Sequence, residues 1–64
     1  MTIKELKKGE FFTLKPIDLP EEHQVWIRGG YDRETKKYEC VRFDDCCAFR
    51  YIAGGKEVYT DFVF

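Results

Sequence analysis

The sequence predicts an all-β protein: a single domain over residues 1–64, built as a five-stranded SH3-like small barrel with a short N-terminal helical turn. Short runs rich in aromatic and β-branched residues alternate with turn-forming residues, which is typical of a β meander. No stretch has the apolar spacing of an amphipathic helix. Aromatic residues make up 17% of the chain, so an open sheet would leave many rings in water. A barrel buries them and protects the strand edges.

The first ten residues predict one helical turn. Thr2 and Glu5 have the spacing of a capping box, in which the two positions satisfy each other's hydrogen bonds. Ile3 and Leu6 are three residues apart, so one turn directs both side chains toward the core. Gly9 ends the turn, and the β-prone residues that follow begin the first strand.

Five predicted strands follow, and residues that favour turns separate them. Pro16 and Pro20 bracket a loop that is neither regular helix nor central strand. Polar residues at 32–36, the pair Asp44–Asp45 and the pair Gly54–Gly55 mark the later turns. The predicted strands are 11–14, 24–31, 37–43, 46–52 and 57–63.

The alternation of side chains predicts the register of the central hairpin. Pairing Ile27 with Val41 keeps the apolar residues of both strands on one face. The same register pairs Val25 with Phe43. It requires either an odd number of loop residues or a β-bulge at Gly29–Gly30, since glycine accepts the backbone angles of a bulge. The core predicted from this register is Leu6, Phe12, Leu14, Val25, Ile27, Val41, Phe43, Phe49, Val58 and Phe62.

The segment 6–12, Leu-Lys-Lys-Gly-Glu-Phe-Phe, carries a resemblance to a known group of proteins. It resembles the opening of small bacterial and phage-type proteins that begin their first strand with a Leu-Lys-x-Gly-Asp/Glu-x-Phe motif. The resemblance implies an SH3-like small barrel and implies no activity. Later stretches fit the same pattern, at 31–33, 37–40, 43–45 and 58–62.

Composition and charge argue against several functional classes. The net charge is −1, so bulk electrostatic attraction does not bring the chain to nucleic acid. No apolar run approaches the ~20 residues of a membrane span, and the first residues lack the pattern of a signal peptide. We therefore expect no membrane partner and a cytoplasmic location.

Three cysteines and one histidine bear on metal binding. An odd number of cysteines without a signal sequence fits free thiols in a reducing cytoplasm. His23 and the three cysteines make a nominal set of four zinc ligands, but Cys46 and Cys47 are adjacent and no Cys-x-x-Cys pair is present. Adjacent strand residues point to opposite faces, so we predict no metal and no cofactor. We interpret the cysteines, Cys40 included, as small buried packing residues.

The candidate binding surface is the face of the 24–43 hairpin that points away from the predicted core, together with the hairpin tip. Aromatic rings and guanidinium groups lie together there, and the segment carries five basic against three acidic residues. Trp, Tyr and Arg contribute most of the binding energy at protein interfaces. The same combination suits single-stranded nucleic acid, whose bases stack on rings and whose phosphates pair with arginine. The candidate residues are Trp26, Arg28, Tyr31, Arg33, Tyr38 and Arg42.

The predicted function is that of a non-enzymatic module that binds a protein partner through this hairpin. The alternative is a small barrel that binds single-stranded nucleic acid, and in a third interpretation the arginines only cover the rings. No serine is present and His23 is the only histidine, so no catalytic group is predicted. The apolar segment Phe62–Phe64 is either pinned into the barrel or an edge that pairs with a second copy. The chain is thus expected to be a monomer or a β-edge homodimer.

Overall fold

Four antiparallel strands form one open sheet in the order β1-β2-β3-β4. This computed structural model describes residues 1–63, with the backbone alone for Cys46. The helical residues within that range lie in two short 3₁₀ turns, Ile3–Glu5 and Glu22–Gln24. The prediction of an all-β fold is therefore confirmed. The strands are β1 Phe11–Phe12, β2 Trp26–Asp32, β3 Lys37–Arg42 and β4 Asp45–Ala53.

The predicted fifth strand and the closed barrel are not features of this sheet. In the described part of the chain, residues 57–63 make only two isolated bridges. Glu57 pairs with Thr2 at the start of the chain, and Tyr59 pairs with Thr13, the residue after β1. In the second bridge, Thr13 and Tyr59 exchange backbone hydrogen bonds of 2.8 and 3.0 Å. The N–H of Val58 instead donates to the carbonyl of Met1 at 2.7 Å. Because neighbouring residues bond to different segments, the C-terminal segment does not extend a continuous ladder.

The N-terminal helical turn is confirmed. The carboxylate of Glu5 accepts hydrogen bonds from the backbone N–H of Thr2 at 2.9 Å and from its hydroxyl at 2.8 Å. These bonds favour the ionised carboxylate and therefore lower the pKa of Glu5. Ile3 and Leu6 are buried, as predicted. The turn thus places two apolar side chains against the sheet.

A β-bulge at Gly29–Gly30 sets the register of the central hairpin. Ile27 pairs with Val41, as predicted. The N–H of Phe43 donates to the carbonyl of Val25 at 2.9 Å, which places the second predicted pair opposite each other as well. The register then shifts across the two glycines, which together oppose a single residue of β3. Of the two predicted alternatives, the bulge is the one that forms.

Close approach of two backbones explains the glycine at the first bulge position. The residue of β3 opposite the bulge is Glu39, and a Cβ atom on Gly29 would lie 2.6 Å from its carbonyl oxygen. A Cβ atom on Gly30 would meet no atom within 4 Å. The turn 33–36 that closes the hairpin has an even number of residues, so the predicted odd loop is wrong. The bulge restores the pairing that an even loop would otherwise invert.

One face of the sheet carries the core. Phe12 pairs with Trp26 on this face. Tyr38 pairs with Ile52, and Cys40 lies two residues further along β3 on the same face. The N-terminal turn and the C-terminal segment cover these side chains. The buried cluster comprises Ile3, Leu6, Phe12, Cys40, Ile52 and Val58, with Leu14, Trp26 and Tyr38 packed against it.

The predicted choice of core face is wrong. The register correctly grouped residues by face, but the covering segments lie on the side of Cys40 and leave the side of Ile27 and Val41 open. Ile27 and Val41 are half-buried. Phe43 and Phe49 expose 39% and 56% of their surface. Of the other predicted core residues, Leu6, Phe12, Val25 and Val58 are buried, and Leu14 and Phe62 are half-buried.

A first prediction concerns the bulge. Gly29→Ala should lower the free energy of unfolding by about 1–3 kcal/mol, because the new Cβ atom collides with a backbone oxygen. Gly30→Ala, the matched control, should change it by no more than about 0.5 kcal/mol. Urea denaturation of both variants measures the difference. Equal effects would contradict the close approach at position 29.

A second prediction concerns the capping box and pH. Because the pKa of Glu5 is lowered on folding, its stabilising effect is present above the unfolded value near 4.5 and is lost as pH falls through the folded value. Glu5→Gln should therefore be less stable than the wild type at neutral pH, and the two should converge in acid. Urea midpoints from pH 7 downward measure this. Glu34→Gln, in the exposed turn, controls for the loss of one negative charge.

Candidate functional site

The open face of the sheet carries a row of apolar side chains that crosses all four strands. Phe11 pairs with Ile27, Ile27 with Val41, and Val41 with Phe49. Directly paired residues lie on the same face, so these four form one continuous row. Tyr51 lies two residues beyond Phe49 on β4, and Phe43 lies against Phe11. We call these six residues the aromatic face: Phe11, Ile27, Val41, Phe43, Phe49 and Tyr51.

The rings of the aromatic face contact each other in two pairs. The centroids of Phe11 and Phe43 lie 5.5 Å apart, and those of Phe49 and Tyr51 lie 6.1 Å apart, both in edge-to-face geometry. The four rings are 39–56% exposed. At 150–250 Å² for a whole aromatic side chain, they expose roughly 350 Å² together. The largest apolar patch on a typical monomer covers about 300–600 Å² and is often functional.

Charged residues border the aromatic face at the hairpin tip. Lys37 and Glu39 alternate with Val41 along β3 and so lie on the same face. Asp32 pairs with Lys37. The border is therefore of mixed charge, whereas the centre is aromatic and aliphatic. An apolar centre with a polar rim is an arrangement also found at protein interfaces.

The structure brings five of the six predicted site residues onto the opposite, covered face. Trp26 pairs with Arg42, and Tyr31 with Tyr38. Arg28 pairs with Cys40 and so lies on the core side. The prediction that four of them, Trp26, Arg28, Tyr38 and Arg42, project away from the core is wrong, because Trp26 and Tyr38 pack against the buried cluster. Arg33, the sixth, is exposed in the turn at the hairpin tip.

Two arginines cover the predicted aromatic rings. The Cζ atom of Arg28 lies 4.2 Å from the centroid of Tyr38, and the Cζ atom of Arg50 lies 5.6 Å from that of Trp26. Arg28 also donates to the carbonyl of Gly29 at 2.9 Å. These contacts are cation–π interactions within the fold. They occupy ring faces that a nucleobase would need for stacking.

Arg42 is engaged at the start of β4. Its Nε atom lies 2.6 Å from a carboxylate oxygen of Asp44, and its Nη2 atom lies 3.9 Å from Asp45. The carboxylates neutralise the positive charge that the sequence analysis assigned to ligand binding. Tyr31, by contrast, is 50% exposed and its ring lies 4.9 Å from that of Tyr38. Tyr31 and Arg33 are thus the most accessible of the predicted six.

A cationic groove lies beside the outer edge of β4. It has a volume of about 420 Å³, and residues 50–53 of β4 form one wall. Lys15, Arg50 and Lys56 contribute three positive charges, and no carboxylate belongs to its described lining. Leu14 and Ile52 add apolar surface. A smaller cavity of about 220 Å³ adjoins Trp26 and shares Leu14 and Lys15 with the groove.

Between residues 48 and 52, the outer edge of β4 carries backbone hydrogen-bonding groups that are not paired with another described segment. β3 is the only strand paired with β4 in the described sheet. Among the described residues, no backbone hydrogen bond joins 48–52 to any segment outside the sheet. In an antiparallel ladder every second residue of an edge strand points its N–H and C=O groups outward. The groove therefore offers both charge and an open strand edge.

The described cysteines differ in their surroundings. Cys40 is fully buried in the core, which confirms its predicted packing role, and burial raises the pKa of its thiol to about 11. A hydrogen bond from the Gly29 N–H and the nearby arginines offset this only in part. Cys47 is exposed. The predictions made for the Cys46 side chain and for Phe64 lie outside the described residues.

The described part of the chain holds no cluster of three His, Cys, Asp or Glu residues with metal-binding geometry. His23 lies on the second 3₁₀ turn, 3.3 Å from a carboxylate oxygen of Glu21, and its side chain is exposed. None of the helical turns between residues 1 and 63 has the length and apolarity to cross a membrane.

Comparison of the chain with family models, with curated proteins and with solved structures finds no match in any of the three. The resemblance noted for segment 6–12 therefore stays a prediction. The candidate sites are identified by the geometry of this chain itself.

Several residues of the candidate sites were missed by sequence reasoning. Phe11 and Tyr51 were given no role, although each lies on the same face as predicted apolar partners. Lys15 and Lys56 are far apart in sequence, and only the fold brings them to one groove. A signal was present in β4, where Arg50 is the only charged residue between 46 and 53. An edge strand normally carries more charge than this.

A third prediction concerns the thiols. In the folded protein, iodoacetamide at pH 8 should modify Cys47 much faster than Cys40, because Cys40 is buried and its pKa is about 11. Peptide mass spectrometry with fragment spectra resolves the individual sites. Unfolding in urea should remove the difference, which serves as the control. Rapid modification of Cys40 in the native state would contradict its position in the core.

Proposed function

We propose that this protein is a non-enzymatic interaction module of the cytoplasm, which binds a partner protein through the aromatic face. The observation that carries the proposal is the exposure of four rings on one regular sheet face. The 24–43 hairpin contributes Ile27, Val41 and Phe43 to this face. The proposed binding surface thus lies on the predicted hairpin, but on the face opposite the one that the sequence predicted.

A different protein fits this face better than a second copy does. The rings expose roughly 350 Å², whereas stable complexes bury ~800 Å² on each partner. Two copies that met only through this patch would fall short of that area. A larger partner reaches beyond the patch to the mixed charges of Asp32, Lys37 and Glu39. The chain itself is then a monomer before it binds.

We also propose that the fold is an SH3-like small barrel whose seam is open. The paired backbones of Thr13 and Tyr59 support this, because they place the C-terminal segment beside the end of β1. In the proposed barrel, the C-terminal segment is the first strand of the sheet, and β1, β2, β3 and β4 follow it in that order. The groove beside β4 lies at the seam between the last strand and Leu14–Lys15.

A fourth prediction tests the aromatic face. A photo-crosslinking benzoylphenylalanine at position 49 should capture one specific protein from an extract of the source cells. The same group at position 19 is the control, because Leu19 is 74% exposed and is not one of the six residues of this face. The captured protein is then purified. Its affinity should fall at least about tenfold for Phe49→Asp and stay unchanged for Leu19→Asp, because aromatic residues anchor interfaces.

Two results would overturn this proposal. The first is a crosslink at position 49 to a second copy only, which would make the face a homodimer interface. The second is an equal pattern of crosslinks at positions 49 and 19. A circular dichroism spectrum of each variant verifies that the fold is retained.

The cationic groove favours a second candidate function, binding of single-stranded nucleic acid. Lys15, Arg50 and Lys56 line the groove, and their three positive charges complement the phosphates of a nucleic-acid backbone. Affinity for an oligonucleotide falls steeply with salt because counterions are released. An interface anchored by aromatic rings depends on salt much less. Salt dependence therefore distinguishes the two functions.

A further inference from the structure

We infer that the cationic groove binds an acidic, extended segment of the partner protein, which adds a fifth strand to the free edge of β4. This inference rests on the proposed protein-binding function and specifies the chemistry of the segment that is bound. Its elements are an open strand edge, three cations without a carboxylate, and an apolar floor.

From residue 49 to residue 53, the edge of β4 lacks the features that normally prevent strand addition. Proteins protect exposed edges with charges, prolines, bulges or very short strands. β4 spans Asp45–Ala53; its pairing with β3 is irregular across residues 46–48 and regular from Phe49 to Ala53. Between residues 46 and 53, Arg50 is the only charged residue and proline is absent. The edge is thus open to pairing with an extended peptide.

The positive charge of the groove favours a negatively charged peptide. Lys15, Arg50 and Lys56 are all exposed and all line the groove. Lys15 lies across from β4, whereas Arg50 belongs to β4 itself. A strand placed between them has cations on both sides. Aspartate and glutamate complement this site, and lysine or arginine would be repelled.

The floor of the groove selects the pattern of the peptide. Ile52 is 8% exposed and Leu14 is half-buried, so both offer apolar surface at the bottom. Successive side chains of a strand point to opposite sides. Arg50 and Ile52 are two residues apart and share one face of β4. An acidic residue beside Arg50 and an apolar residue two positions further along, beside Ile52, therefore both point into the groove. The four residues 50–53 match a peptide stretch of about 13 Å.

An extended peptide fits these features better than a nucleic acid does. A strand uses the outward N–H and C=O groups of β4, which a nucleic acid leaves unpaired. The rings of Trp26 and Tyr38 are covered by Arg50 and Arg28, so they provide no free stacking platform. Tyr51, a residue of the aromatic face, also belongs to the lining of the groove, so the added strand would extend that face.

Fluorescence anisotropy with labelled peptide libraries tests the inference. The probe is a set of heptapeptides whose odd positions hold Asp or Glu in alternation with Val, Ile or Leu, and whose even positions hold Thr or Tyr. Matched sets carry Lys or Arg in place of the acids, or are N-methylated at alternate backbone positions. Saturable binding is expected for the acidic set alone, since N-methylation removes the strand hydrogen bonds. Hydrogen exchange should show new amide protection within 48–52.

Charge-reversal variants locate the site. Lys15→Glu with Lys56→Glu should weaken binding of the acidic set about tenfold, because two attractions become repulsions. Lys7→Glu with Lys8→Glu makes the same change in net charge on exposed residues outside the groove. This control should bind like the wild type. Circular dichroism verifies the fold of both double variants.

Several results would overturn the inference. They are absence of binding by the acidic set, equal binding by the N-methylated set, and tighter binding of oligo(dT) with steep salt dependence. The proposed function fails separately, because its own test is loss of partner affinity on Phe49→Asp. If that loss is observed while acidic peptides fail to bind, only the strand addition is wrong.

Discussion

The close contact between Gly29 and the carbonyl of Glu39 determines how the rest of the sheet is arranged. It allows two residues of β2 to oppose one residue of β3, so the pairing survives a turn with an even number of residues. Arg28 and Tyr31 consequently lie on the same face, although they are three residues apart. Without the bulge, the tip of the hairpin would present its other side to the core. The covered face and the aromatic face both follow from this one irregularity.

A chain of this size has enough residues outside its strands to cover only one side of its sheet. The N-terminal turn supplies Ile3 and Leu6, and the C-terminal segment supplies Val58. Burying the rings that remain exposed would contribute roughly 9 kcal/mol at about 25 cal/mol per Å². Association itself costs about 4–15 kcal/mol. The two magnitudes are comparable, so in the proposed complex the contacts at the polar rim and at the strand edge would decide which partner is bound.

Local features of the fold were predictable from sequence, and the choice of covered face was not. The spacing of Thr2 and Glu5 defined the N-terminal turn, and the alternation around Ile27 and Val41 defined the register and the need for a bulge. Alternation groups residues by face without stating which face the distant segments cover. The predicted site illustrates the same limitation of sequence patterns. Five of its six residues do share a face, as predicted, but that face also carries the buried Cys40 and is therefore the core side. The groove escaped prediction because its lysines meet only in the fold.

The free edge of β4 also has a consequence for the solubility of the protein. A strand that can accept a segment of a partner can equally accept β4 of another molecule, and edge-to-edge pairing of this kind leads to aggregation. Pairing between copies depends on concentration, whereas occupancy by a partner protects the edge. If the proposed partner occupies this edge, the amount of aggregation-prone free chain depends on the supply of that partner.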